Sequence, residues 1–266
     1  MEYIKHCKQP QSGLNVLSEY GDGDMKLEKL SLLVLKDGES YQANSGTDEV
    51  ALVILGGKAN IQGDGFDFGL CGQRKNVFDG KPYCIYIPHH TNFQVKAVGD
   101  VDIAVAYTPS TLDTPAYVIK PDQVIDWAGG KGSYARTSYL VLTEKFPSAH
   151  MYIGEAFVED GRHASFPPHR HEFDRLPNEV KMEEIYFFRY NPKGGYGIQK
   201  IYTDDRAIDV TYTVEENDTT LIPRGYHPVI DIPGYTMYYL WVMAGEVNRK
   251  FVSVLDPQHK WVVEQK

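Results

Sequence analysis

Apolar residues along this chain occur in short runs that are separated by turn-forming residues. Each run is rich in β-branched and aromatic side chains and is bounded by Gly, Pro, Asn or Asp. This pattern is typical of strands in a sandwich or barrel, and signals for helices are few. The chain is therefore predicted to be all-β. The predicted strands are Leu30–Leu35, Val50–Leu55, Tyr83–Ile87, Val101–Tyr107, Ser138–Leu142, Met151–Val158, Ile185–Tyr190, Gly197–Tyr202, Ala207–Thr213, Thr219–Ile222 and Thr236–Met243.

A weak internal repeat divides the chain into two similar halves. Glu49 and Glu184 each open an apolar strand and lie 135 residues apart, and the same spacing separates Pro88 from Pro223. Because each proline follows a strand and precedes a histidine, the repeat predicts two tandem copies of one β-barrel module. We expect the first module over residues 1–115 and the second over residues 116–266, with the connection near Pro109–Trp127.

Charge and composition narrow the classes of partner. The chain carries 27 basic and 36 acidic residues, with a net charge of −9 and a pI near 5.5, which argues against nucleic-acid binding. No apolar run is long enough to span a membrane, and the first residues lack the apolar core of a secretory signal. A cytoplasmic location is expected. The three cysteines lack the spacing of a zinc cluster and are expected to be free thiols.

Three histidines and a carboxylate form the candidate chemistry. His169 and His171 are two residues apart on a predicted extended segment, so both can contact one metal ion. Glu183 or Glu184 stands at the start of a later strand, and His227 follows a Pro–Gly turn. Each of these residues alone is common at surfaces and turns. Their order in the chain favours a catalytic metal site inside the second module, with coordination positions left for water or substrate.

This order of residues resembles the two-part signature of the cupin superfamily, and two modules in one chain resemble a bicupin. The spacing between His171 and Glu184 is longer than in a generic cupin, and the spacing between Gly225 and His227 is shorter. Further motifs closely resemble the 5-deoxy-glucuronate isomerase family of myo-inositol catabolism. These motifs are Phe166–His171, Tyr202–Arg206, Pro223–Pro228, Tyr238–Gly245, Asp256–Trp261 and, in the first module, Arg74–Gly80. One departure is His163-Ala-Ser, where that family usually has Trp-Ser-Ser.

The resemblance implies an aldose–ketose isomerase that converts 5-deoxy-D-glucuronate to 5-dehydro-2-deoxy-D-gluconate. Both faces of the strand after Glu184 are apolar, so alternation does not choose between the two glutamates. Related 4-deoxy-uronate isomerases have their ligand carboxylate directly before an aliphatic-Tyr-Phe strand, which favours Glu184, with Glu183 as the alternative. Glu184 and Tyr186 are the catalytic candidates, and His150 and His163 are weaker candidates for proton transfer.

A sugar-acid substrate also needs a cation for its carboxylate, and arginine binds carboxylates in a bidentate manner. Arg206 and Arg224 lie in two of the motifs and are predicted to bind the substrate. The divalent metal is expected to be zinc or manganese, with iron and nickel as alternatives. The first module has Val34 and Lys36 at the positions that correspond to His169 and His171, so one metal site per chain is expected.

Two other functions remain open from the sequence. A non-haem metal dioxygenase also uses histidines with a carboxylate, and a sugar-binding cupin uses the same fold without catalysis. The retained ligand set argues against the second of these. Apolar strand edges often pair between subunits, so a homo-oligomer is an expectation, with the number of subunits left open.

Overall fold

The computed structural model describes residues 2–264 and consists almost entirely of strands, so the predicted all-β class is confirmed. The earlier strands are β1 (Ile4–Lys5), β2 (Gly13–Ser18), β3 (Lys29–Leu35), β4 (Ser40–Asn44), β5 (Asp48–Gly56), β6 (Ala59–Gly63), β7 (Phe66–Cys71), β8 (Cys84–Ile87), β9 (Asn92–Ala97), β10 (Val101–Pro109) and β11 (Tyr117–Ile119). The later strands are β12 (Ile125–Gly129), β13 (Arg136–Leu142), β14 (Met151–Glu159), β15 (His163–Ala164), β16 (His169–Arg170), β17 (Glu183–Asn191), β18 (Gly197–Tyr202), β19 (Asp209–Val214), β20 (Thr219–Ile222), β21 (Val229–Asp231), β22 (Thr236–Ala244) and β23 (Val254–Leu255).

Helical structure in the described part of the chain is limited to single turns. Two are 3₁₀ turns, Asp22–Asp24 and Gly132–Tyr134, and one is the α-helical turn α1 (Trp261–Glu264). Within residues 2–264 no helix has the length and apolar character needed to cross a membrane.

Each predicted strand overlaps an observed one, and the strands that sequence reasoning missed are either half-exposed or only two or three residues long. In β4 the side chains alternate between exposed and half-buried, and only alternate residues of β6 are buried. Such strands lack a continuous apolar run because one face contacts water. A search for apolar runs therefore does not detect these strands.

Two large sheets and two small sheets form the body of the protein. The first large sheet has the strand order β11-β8-β5-β10-β3-β2, and it faces a small sheet of order β4-β9-β6-β7. The second large sheet has the order β1-β20-β17-β22-β14-β13-β12, and it faces a small sheet of order β15-β21-β18-β19. The pair β16-β23 lies separately. Each module is thus a sandwich of open sheets, whereas the sequence predicted barrels, because a pattern of apolar runs does not specify whether edge strands pair.

The internal repeat is visible in the two large sheets. Strands β5, β8 and β10 correspond to β17, β20 and β22, and the bounds of all three pairs differ by the same 135 residues. The outermost strands are exchanged between the modules. β1 from the start of the chain pairs with β20, and β11 pairs with β8 of the first sheet. The division between residues 115 and 116 stays a prediction. Strand β1 precedes this division but completes the second large sheet, and β11 follows it but completes the first.

Three apolar clusters show that the four sheets are stacked. The largest cluster contains alternate residues of both large sheets, for example Leu32 of β3 and Phe187 of β17, so these two sheets pack against each other. A second cluster fills the first sandwich. The third fills the second sandwich and includes Tyr186 and Phe188 of β17. Strand β17 is therefore buried on both faces, and its residues at even positions point into the second sandwich.

Candidate metal centre

The three predicted histidines meet inside the second sandwich. His169 lies on β16, His171 follows directly after it, and His227 lies in the turn between β20 and β21. Their ligand atoms all lie within 4.8 Å of one another, and all three residues are buried. Among residues 2–264, this is the one group of three or more His, Cys, Asp or Glu that is arranged closely enough to hold a metal ion.

Glu184 is the carboxylate that completes this group. Its Oε2 atom lies 3.0 Å from Nε2 of His171 and 3.1 Å from Nε2 of His227. Glu183 points to the other side of β17, where its Oε2 accepts hydrogen bonds from the backbone N–H groups of Lys26 and Leu27 at 2.7 and 2.9 Å. The structure therefore brings Glu184, and not Glu183, to the three imidazoles.

The orientation of the imidazole rings fits a cation. Nδ1 of His171 donates to the carbonyl of Met182 at 2.7 Å, and Nδ1 of His227 donates to the carbonyl of Gly225 at 3.0 Å. With Nδ1 carrying the proton in the neutral rings, the lone pairs of Nε2 are directed toward the carboxylate of Glu184. The buried Nε2 atom of His227 lies 3.1 Å from Oε2 of Glu184 but forms no hydrogen bond. A divalent cation between these nitrogen lone pairs and the carboxylate would bind both. The contacts of Nδ1 fit this arrangement, because metal-binding histidines commonly donate their other N–H to a carbonyl.

The pKa values of Glu184, His171 and His169 show how burial and the neighbouring charges act on the group. Burial alone would raise the pKa of Glu184, but the imidazoles of His227 and His171 outweigh it and lower that pKa to about 2. Burial alone would lower the pKa of His171, and the hydrogen bond to Glu184 raises it overall. Burial, together with the neighbouring imidazoles, lowers the pKa of His169 well below its usual value. Glu184 is thus a carboxylate that needs a positive partner, either a proton on His171 or a metal ion.

The residue between the two histidines anchors the ligand segment. Arg170 Nε donates to Oε1 of Glu179 at 3.2 Å, and its Nη1 atom donates to the hydroxyl of Tyr226 at 3.2 Å and to the carboxylate of Asp204. These charge-assisted hydrogen bonds fix the backbone that carries His169 and His171. Asp204 belongs to the motif Tyr202–Arg206, so this motif contributes a support for the candidate ligands.

A cavity of about 140 Å³ opens onto the centre. His169, Glu184, Tyr186 and Ser165 all line it, and the Tyr186 hydroxyl lies 2.8 Å from Oγ of Ser165. Burial raises the pKa of Tyr186 well above its usual value. Much of the remaining wall is apolar or aromatic and is formed by Leu140, Tyr152, Tyr239, Trp241, Met243 and Phe251. Such a wall limits the access of water to a bound ligand.

The two arginines that the sequence predicted for substrate binding do not line this cavity. Arg206 lies on the surface, 3.4 Å from a carboxylate oxygen of Asp209, and Arg224 forms an ion pair with Glu172 at 3.2 Å. Both belong to motifs that are adjacent to the ligands in the sequence, but their side chains turn outward to acidic partners. His150 and His163 also lie outside the cavity wall, and their Nδ1 atoms contact backbone carbonyls at 2.8 and 3.3 Å.

Arg136 lines the cavity instead, together with Trp127. Sequence reasoning missed both residues. Arg136 is the first residue of β13 and lies opposite Gly129 of β12 in the sheet. No local motif marks it, and two strands, β22 and β14, separate β13 from β17, the strand that carries Glu184.

Known proteins resemble this chain over its whole length. The model of the KduI/IolB family matches residues 5–262. A 5-deoxy-glucuronate isomerase of Geobacillus kaustophilus is 40% identical over 235 residues, which are 88% of this chain and 84% of that protein. A 5-deoxy-glucuronate isomerase of Bacillus subtilis is 35% identical over 274 aligned positions that span both chains completely.

Solved structures agree with the fold. The crystal structure of an IolB-like protein from Salmonella typhimurium superposes with a TM-score of 0.93 at 32% identity, covering 99% of this chain and 100% of that one. A mutant of Bacillus subtilis oxalate decarboxylase superposes with a TM-score of 0.66 at 12% identity, covering 100% of this chain and 81% of that one, and this likeness concerns the fold alone. The predicted tandem cupin architecture is confirmed, with its modules built as sandwiches. The chain belongs to the KduI/IolB family.

Proposed function

We propose that this protein is a metal-dependent aldose–ketose isomerase that converts 5-deoxy-D-glucuronate to 5-dehydro-2-deoxy-D-gluconate in myo-inositol degradation. The observation that carries the proposal is the convergence of three imidazoles and Glu184 at one point, where His169 and Glu184 also line a cavity. Relatives named 5-deoxy-glucuronate isomerase that align with nearly the whole chain support the choice of substrate. The cytoplasmic location and the homo-oligomer expected from the sequence stay predictions.

His169, His171, His227 and Glu184 would hold the divalent cation. Imidazole and carboxylate ligands suit zinc, manganese, iron and nickel, so the donor set permits each of these ions. When bound, the cation supplies Lewis-acid polarisation of the carbonyl and hydroxyl oxygens on the two adjacent carbons between which the reaction moves a proton.

The other residues of the cavity have roles that follow from their contacts. The hydroxyls of Tyr186 and Ser165 share a hydrogen bond, and with Ser165 as its donor the hydroxyl of Tyr186 can donate its own proton to a sugar oxygen. Glu184 and Tyr186 lie on the same face of β17 and both line the cavity, so both can contact a ligand from one side. The apolar wall excludes water, which strengthens the electrostatic interactions of the bound substrate.

The proposal is tested with purified protein whose metal content is measured by elemental analysis. NMR should detect conversion of 5-deoxy-D-glucuronate to the ketose, and a chelator should stop it. The variant His171→Ala should lose both stoichiometric metal and turnover. His163→Ala is the matched control, because His163 lies outside the cavity wall, and it should retain both.

Two results would contradict the proposal. Full turnover by His171→Ala would remove the metal from the mechanism, and metal-loaded wild-type protein without isomerase activity would remove the reaction. Metal-dependent oxygen uptake in place of isomerisation would identify a dioxygenase instead. Binding of a sugar acid without any turnover would identify a sugar-binding protein.

A further inference from the structure

Arg136 is a cation without an acidic partner at the cavity of the metal centre. It is the one Lys or Arg on the cavity wall among the described residues. Its guanidinium forms no ion pair and no side-chain hydrogen bond within residues 2–264, whereas Arg206 and Arg224 are each paired with a carboxylate. A half-buried guanidinium with free donors beside a cavity is available to an anionic ligand.

Trp127 holds this guanidinium in place without using its hydrogen-bond donors. The guanidinium carbon of Arg136 lies 5.1 Å from the centre of the indole ring. The ring lies across Gly129, the cross-strand neighbour of Arg136, so closely that a Cβ atom on Gly129 would lie 2.0 Å from it. Glycine at this position therefore allows the indole to reach Arg136. Stacking on an aromatic face leaves the N–H groups at the edge of the guanidinium free to form a bidentate contact.

The cavity of about 140 Å³ is lined both by candidate metal ligands and by Arg136. In 5-deoxy-D-glucuronate the carboxylate and the reacting aldehyde are at opposite ends of a six-carbon chain. With the aldehyde end near His169 and Glu184, the carboxylate end is directed toward another part of the wall. The positive charge there is that of Arg136.

We propose that Arg136 binds the substrate carboxylate, with Trp127 positioning its guanidinium, and that it selects sugar acids over neutral sugars. This inference rests on the proposed function and names the substrate class of the same site. It replaces Arg206 and Arg224 as the carboxylate-binding residues.

The test measures binding and turnover separately in the metal-loaded protein. D-Gluconate and D-glucitol serve as probes that are not substrates, because they differ in having a carboxylate or a neutral hydroxymethyl group at one end. In calorimetric titrations, Arg136→Gln should weaken the binding of gluconate by about 10- to 100-fold and leave that of glucitol unchanged. Arg136→Lys, which keeps the charge but not the planar fork, should give an intermediate loss. Arg206→Gln is the matched control and should bind gluconate like the wild type.

With 5-deoxy-D-glucuronate as substrate, KM should rise in Arg136→Gln by a similar factor, with a smaller change in kcat. Three results would overturn the inference: no measurable binding of gluconate to the wild type, unchanged gluconate binding in Arg136→Gln, or equal weakening of gluconate and glucitol. The last result would mean that Arg136 only maintains the shape of the wall. Absence of turnover in the wild type would contradict the proposed function, and the titrations would still decide the role of Arg136.

Discussion

A buried ion pair joins the two modules, and its removal gives a quantitative prediction. Arg74, between β7 and β8, binds Glu155 of β14 in a bidentate manner, with N–O distances of 2.9 and 2.6 Å. Arg74 is 2% exposed and Glu155 is 0% exposed. Arg74 also donates to the backbone carbonyls of Ile54 and Gly80, and Glu155 accepts a hydrogen bond from the hydroxyl of Tyr238 at 2.8 Å.

The variant Arg74→Met should lower the free energy of unfolding by about 3–5 kcal/mol. The reason is that Glu155 keeps its negative charge in the interior with the hydroxyl of Tyr238 as its remaining partner, and breaking one side of a buried pair typically costs this much. Two carbonyl groups also lose their donor. Total stabilities of proteins are about 5–15 kcal/mol, so the variant should still fold at low temperature.

Urea unfolding followed by circular dichroism measures this change. The double variant Arg74→Met/Glu155→Leu is the informative control, because it removes both charges and should be more stable than Arg74→Met alone. Lys36→Met removes an exposed ion pair with Asp100 and should leave the midpoint unchanged. A loss below about 1 kcal/mol for Arg74→Met, or a double variant less stable than the single one, would refute the reasoning.

Three further predictions concern the metal centre and its surroundings. Zinc or manganese at 100 times its dissociation constant should stabilise the wild type by about 2.7 kcal/mol, which calorimetry detects as a higher melting temperature. Glu184→Gln should show a smaller rise in melting temperature. Equal rises in the two proteins would contradict the role of Glu184 as a ligand. Gly225→Ala should cost at least about 2 kcal/mol in urea unfolding, because Gly225 has φ of 92° and a Cβ atom would lie 2.5 Å from the carbonyl oxygen of Tyr202. Burial raises the pKa of Asp231 from 3.8 to about 7. The stability that the protonated Asp231 carboxyl contributes is therefore complete below its pKa in the unfolded chain, and it is lost as the pH rises through about 7. Asp231→Asn should remove this part of the pH dependence of unfolding, and an unchanged profile would contradict it.

Strands and candidate ligands were largely predictable from the sequence because their signals are local. The runs that became β5, β17 and β22 are apolar on both faces, and the structure buries them between sheets. His169 and His171 share one short extended segment, so their proximity follows from spacing alone. The half-exposed strands β4 and β7 carry no such signal, since water on one face allows many residue types.

Contacts that depend on the packing of distant segments could not be predicted. Two adjacent glutamates at the start of β17 look equivalent in the sequence, yet one faces the imidazoles and the other binds backbone N–H groups of residues 26 and 27. Arg206 and Arg224 are close to the ligand motifs in sequence, but nearby acidic side chains hold them at the surface. Arg136 lines the cavity because β13 and β14 are neighbours in the second large sheet.

The sequence by itself determined the all-β class, the repeat of 135 residues and the order of the four candidate ligands, because burial periodicity and donor chemistry are properties of short segments. The tertiary structure decided which glutamate and which arginine face the cavity. It also decided that the sheets stay open and that β1 and β11 exchange places at the edges of the modules. The physical reason is that these features depend on hydrogen bonds and packing between segments far apart in the chain, where many pairings satisfy the same local pattern.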